Sequence, residues 1–123
     1  MTFKNMAYLM AVGCSVLGLR FIFAGASLLN EWGIPVTDGP LIICRRLGVL
    51  YLGLAVMFFM GRTAPPSELR SAVCLGLGGA SALLACLGLF ELWAGRVTSG
   101  IVVSAIIEVV LAAGFAWVWR LGR

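Results

Sequence analysis

The sequence predicts an all-α integral membrane protein, four transmembrane helices in an antiparallel bundle. Three observations carry that expectation. Hydrophobic residues make up 62% of the 123-residue chain, and only 11% of it is charged, nine Lys or Arg against five Asp or Glu. A soluble domain is about one quarter charged, and one this small has too little interior to hide so much apolar surface. The apolar residues fall into four runs, each long enough to cross about 30 Å of hydrocarbon at 1.5 Å per residue. Finally, no run alternates polar and apolar residues as a transmembrane β-strand must. Backbone groups in lipid find partners only within a helix or a closed barrel, so the runs are read as helices.

The first run is 6–29, interrupted by Arg20. Its Ala24-Gly25-Ala26 looks like a signal cleavage site, but the length of the run, the single basic Lys4 and Arg20 argue for a retained span. The second run, 41–60, carries Arg45 and Arg46 near its start. The third, 69–92, has Arg70 at its start and Glu91 at its end. The fourth, 97–119, is interrupted by Glu108. The breaks are polar and marked by Gly and Pro. Residues 30–40 form the first, with Glu31, Gly33, Pro35, Asp38, Gly39 and Pro40. Residues 62–67 form the second, where Ser67 is the expected N-cap of span three and Glu68 favours its first turn. A short turn near Ala94-Gly95-Arg96 makes spans three and four a hairpin. The chain is read as a single membrane domain, 1–123.

Charge sets the expected orientation. Lys4, Arg62, Arg70, Arg120 and Arg123 fall on one side. Arg45, Arg46 and Arg96 fall on the other, with Glu31 and Asp38. The positive-inside rule then puts both termini in the cytoplasm. Trp32, Trp93, Trp117 and Trp119 sit near run ends, as interfacial anchors should.

Charges inside the runs are the candidate functional residues, because a charge at mid-bilayer costs at least about 3 kcal/mol on insertion scales. Arg20 and Glu108 are placed at similar depth if spans one and four run antiparallel, so an intramembrane Arg20–Glu108 pair is expected, fixing helix register or facing a cavity or partner. Arg45 and Arg46 are read as lipid-headgroup anchors or an anionic-ligand site that Glu91 could neutralise. Arg62, Glu68 and Arg70 surround the Pro65-Pro66 turn and serve as topology determinants or a cytoplasmic partner surface. Small residues recur every four positions: Gly100, Ser104, Glu108, Ala112 and Ala116 in span four, Ala72, Gly76 and Ala80 in span three, and Ala7, Ala11 and Ser15 in span one. Such rows let helices approach closely, within one bundle or between subunits.

Several chemistries are disfavoured. The chain has no His, which removes His-liganded haem or zinc and His acid–base catalysis by this chain alone. Cys14, Cys44, Cys74 and Cys86 have neither CxxC nor zinc-like spacing, and no metal site is expected. The scattered positive charge is no nucleic-acid patch, and no HExxH, phosphate loop or nicotinamide fingerprint is present. Glu68 and Glu91 fall toward opposite faces and cannot pair as catalytic carboxylates. A bound lipid, quinone or pigment needs no ligating residue, so the cofactor is left unassigned.

The Arg45-Arg46-Leu47-Gly48 start of span two and the Ser67-Glu68-Leu69-Arg70 start of a Gly-rich span three resemble the small four-helix bacterial inner-membrane proteins of the DoxX-like kind. That resemblance implies a four-helix bundle in the inner membrane and carries no catalytic residue. The small multidrug transporters have similar size and span number, but their membrane-embedded Glu lies in span one, where this chain has Arg20. The expected function is therefore a non-catalytic accessory or structural subunit, in a homo-oligomer or a larger membrane complex. A small proton- or ion-coupled carrier or ligand-binding protein, with Glu108 as its protonatable group, is one alternative. An integral membrane enzyme is the other.

The orientation is directly testable. Single cysteines introduced at Thr2 and Gly122 of a cysteine-free variant should resist an impermeant maleimide in intact cells and react after lysis; labelling of either from outside would reverse the assignment.

Overall fold

The computed structural model describes residues 2–122, and these are helical apart from short connections. The elements are α1 (Phe3–Phe23), α2 (Gly25–Trp32), α3 (Asp38–Met60), α4 (Glu68–Trp93) and α5 (Ile101–Leu121). Four of them, α1, α3, α4 and α5, are long and apolar enough to span a membrane. This is the four-span helical fold expected from composition.

The run 6–29 does not form one straight helix. It breaks at Ala24, whose φ of −132° and ψ of 31° leave the helical region. The bend coincides with a close approach to α3. A side chain at Gly25 would bring its Cβ to 3.1 Å from the Cβ of Cys44, so α2 turns where a missing side chain lets it settle on α3. A Gly-Ala-Ser sequence is a common place for such a bend. Residues 30–32, expected in a loop, are the last turn of α2.

Two helix ends are closed the same way. Gly33 and Gly95 have φ of 73° and 78°, a region that costs other L-residues about 1–2 kcal/mol. Ile34 N–H donates to Leu29 O and Arg96 N–H to Glu91 O, while Gly33 and Gly95 donate to Asn30 O and Leu92 O. Each set is the paired bonding of a Schellman cap. At the start of α4, Ser67 Oγ accepts from Arg70 N–H at 3.2 Å, the N-cap its position predicts. Helix α5 begins at Ile101, later than the run at 97, because residues 94–100 are spent on the turn.

The chain folds as two compact units. One is Ala7–Arg62; the other joins the N-terminal residues through Met6 to the chain from Thr63 onward. In the first, α1 and α3 run antiparallel. Gly18 meets Gly48, Phe21 stacks on Tyr51 with centroids 5.6 Å apart, and Tyr8 meets Phe59 edge-on. Phe21, Leu28, Leu29 and Cys44 form its apolar centre.

The second unit is built on the α4–α5 hairpin. Among the half-buried and buried positions, α4 carries the series Ser71, Cys74, Gly78, Ser81, Ala85, Gly88 and Leu92, and α5 the series Ile101, Ala105, Glu108, Ala112 and Phe115. Both series step alternately by three and four residues, the 3.5-residue repeat of a left-handed knobs-into-holes seam. Gly88 faces Ile101 at one end, and Gly78 faces Phe115 toward the other. Phe115, Val118 and Met6 are its most completely buried side chains.

The tightest backbone approach lies at Gly18 and Gly48. A Cβ on Gly18 would sit 2.8 Å from Gly48 O, and one on Gly48 would sit 2.6 Å from Gly18 O. Both contacts are with backbone, which cannot swing aside. Gly48→Ala should therefore lower stability in detergent by roughly 1–3 kcal/mol, read as a lower unfolding midpoint. Gly53→Ala, on the exposed side of the same helix with nothing within 4 Å, should be neutral or slightly stabilising because Ala is the better helix former.

Candidate functional site

Arg20 lies in the last turn of α1, so it belongs to one end of its span, whereas Glu108 lies near the middle of α5. Within its own unit Arg20 has a partner that the sequence reading did not name: Arg20 Nη2 donates to Glu31 Oε2 at 2.6 Å. The bend at Ala24 brings the two within reach. Eleven residues of straight helix would separate the two Cα atoms by about 16.5 Å, beyond the combined reach of the side chains. The bend at Ala24 shortens that path. Sequence reading missed the pair because it placed Glu31 in a loop; the clue was Gly25, where a helix can turn against a neighbour. The two side chains are 40% and 37% exposed, which makes this a surface-type ion pair.

Glu91 likewise has a partner inside its own unit. The Schellman turn at Gly95 returns Arg96 over the end of α4, where Arg96 Nε donates to Glu91 Oε2. That hydrogen bond and the carboxylate's charge raise the Arg96 pKa above its already high value, so Arg96 stays charged. Its guanidinium also lies 5.4 Å from the Phe90 ring centroid. Arg45 and Arg46 are exposed, two turns into α3 because that helix begins at Asp38. They are free to reach headgroups as snorkelling side chains.

The Arg62/Glu68/Arg70 group is divided between the two units, and each arginine is engaged within its own. Arg62 Nη1 donates to the Phe59 carbonyl, and its guanidinium lies 4.1 Å from the Phe59 centroid and 5.8 Å from that of Tyr8. It closes the end of α3. Arg70 Nη1 donates to Ala64 O at 3.1 Å, and its guanidinium lies 4.6 Å from the Phe3 centroid. Glu68 is exposed in the first turn of α4.

Glu108 occupies the α4–α5 seam and is half-buried. The contacts of Gly88 with Ile101 and of Gly78 with Phe115 bracket it, so Ser81 on α4 and Glu108 on α5 share the middle level of the hairpin. Ser104, one turn earlier, is also half-buried. Among the described residues Glu108 enters neither ion pair. The predicted row Gly100–Ser104–Glu108–Ala112–Ala116 follows the seam only in part. Steps of four residues advance 400°, so the row drifts about 40° per step, and Ala116 ends exposed while Phe115 takes the buried place.

Cys14, Cys44 and Cys74 are buried and Cys86 is exposed; all four are free thiols. Among the described residues no three His, Cys, Asp or Glu side chains gather as a metal site. The fold and its charges define a multi-pass helical membrane protein. No known protein family, curated protein or solved structure matches the chain.

Because the Arg20–Glu31 pair is exposed, it should contribute little to stability. A double-mutant cycle of Arg20→Gln and Glu31→Gln should give a coupling of about 1 kcal/mol or less, screened by salt. A coupling of several kcal/mol would mean that the pair is desolvated in the bilayer.

Proposed function

We propose that this chain is a non-catalytic structural or accessory subunit of a membrane assembly, in the bacterial inner membrane with both termini cytoplasmic. The observation that supports this reading is the outer face of α4. This helix has small residues on two sides. Its inner side is used within the hairpin, where a Cβ on Gly78 would lie 3.1 Å from the Phe115 Cβ. Its outer side presents Ala72, Gly76, Gly79 and Ala80, all exposed, and added Cβ atoms at Gly76 and Gly79 would meet nothing within 4 Å. Leu69 and Leu83, 77% and 72% exposed, bound this shallow groove. Lipid gives helices little hydrophobic reason to associate, so close backbone contact supplies much of the attraction. A second helix fits the outer face as α5 fits the inner one. The DoxX-like resemblance is part of this proposal and is supported by the four-span architecture alone.

The carrier alternative is favoured by one feature, the half-buried Glu108 on the seam, since an intramembrane carboxyl is a natural proton site. The two readings separate experimentally. Native mass spectrometry of the gently solubilised protein should show a homo-oligomer or an identified partner. The Gly76→Leu/Gly79→Leu double variant should release it as a folded single chain, whereas Gly78→Leu should disrupt the hairpin itself. Solute exchange by the wild type alone in vesicles, abolished in a folded Glu108→Gln variant, would overturn the accessory reading.

A further inference from the structure

Arg70 has more donors than acceptors around it. Nη1 is satisfied by Ala64 O, the backbone N–H by Ser67 Oγ, and the guanidinium face by the Phe3 ring. Nη2 is buried and has no acceptor. Nor does a carboxylate offset the charge: the ion pairs among the described residues are Arg20–Glu31 and Arg96–Glu91. Glu68, the nearest acid in sequence, is exposed and does not line the space beside Arg70. Leaving a buried charged donor unsatisfied costs more than the 1–3 kcal/mol or so of a neutral one.

A cavity of about 30 Å³ adjoins Arg70, lined by Ser67, Arg70, Ser71 and Cys74 from the α4 side and by Val118 and Trp119 from α5. It has room for a water, which needs roughly 10–15 Å³, or for an oxygen of a larger group seated at its open mouth. Water would satisfy the hydrogen bond but not the charge. Ser67 Oγ already accepts a bond from Arg70 N–H, which leaves its hydroxyl proton free to donate outward, and Ser71 adds a second hydroxyl. Arg70 lies in the first turn of a membrane span, the depth at which phospholipid headgroups carry their phosphates.

We propose that this cavity binds a phosphate oxyanion, with the Arg70 guanidinium and the hydroxyls of Ser67 and Ser71 as donors. The chemistry is shared by a phospholipid headgroup and free inorganic phosphate. A guanidinium with hydroxyl neighbours suits an anionic oxygen cluster better than a point cation would.

The test uses the full chain, delipidated in maltoside detergent. One arm titrates phosphatidylglycerol and counts bound lipid by native mass spectrometry; the other titrates inorganic phosphate by calorimetry. Wild type should bind one equivalent. Arg70→Gln and Ser71→Leu, which fills the cavity but keeps the charge, should each weaken binding about tenfold or more. Lys4→Gln, which removes an exposed charge, should leave it unchanged. Circular dichroism and gel filtration verify folding, and Ser71→Leu carries the test if Arg70→Gln does not fold. Binding of lipid alone identifies the headgroup as the source; Arg70-dependent binding of inorganic phosphate identifies the free ion. Equal binding by wild type and both site variants overturns the proposal, as does the absence of binding in both arms. A protein partner lost in Arg70→Gln, with lipid and phosphate binding unaffected, overturns it too.

Discussion

Contact between backbones is the constraint on which this structure depends. In a bilayer a leucine gains little by leaving lipid for protein, so helices associate through fit and dispersion. The fit is closest where no side chain intervenes. Gly18 and Gly48 bring α1 and α3 together carbonyl against Cα, and the aromatic contacts Phe21–Tyr51 and Tyr8–Phe59 fall into place on either side. Gly25 repeats the device where α2 meets Cys44. In the other unit glycines receive side chains instead: Phe115 fills the space that Gly78 leaves, and Ile101 rests on Gly88 at ordinary van der Waals distance.

Charge placement follows from the same economy of solvent. The two ion pairs are local, Arg20 with Glu31 across the bend at Ala24 and Glu91 with Arg96 across the turn at Gly95. Arg62 and Arg70 use carbonyls and aromatic rings close in the fold. A carbonyl at a helix end has no intrahelical donor, so an arginine placed there satisfies the helix as well as itself. Glu108 is different: it sits at a seam position among small residues, at the level of Ser81. A single polar group in such a seam fixes register at some cost in stability.

The two faces of α4 connect packing to function. Both carry small residues; the inner one is covered by α5 within its own unit, and Ala72, Gly76, Gly79 and Ala80 on the outer one are exposed. The helix therefore supports its own fold on one side and offers a similar surface on the other. At its start, Arg70 and the adjoining cavity give the same helix a polar end at headgroup depth. Trp93 at the far end of α4 and Trp117 and Trp119 near the end of α5 are exposed, as amphipathic rings at a membrane interface are.

Composition and run length alone determined the class, the number of spans, the Ser67 cap and the hairpin of the last two spans. These depend on one-dimensional quantities: bilayer thickness, helix rise and the need to satisfy backbone groups in lipid. Pairing of charges was decided in three dimensions. A straight helix running on through Glu31 would put it out of reach of Arg20, and the close approach of Gly25 to α3 at the bend is visible only once Cys44 is opposite it. The same holds for the small-residue rows. A four-residue step looks like a stripe in sequence but winds around the helix, so only packing shows that Glu108 and Ala112 face the seam while Ala116 does not. Which glycines touch another helix depended likewise on neighbours far away in the chain, because a missing side chain has meaning only beside what fills its place.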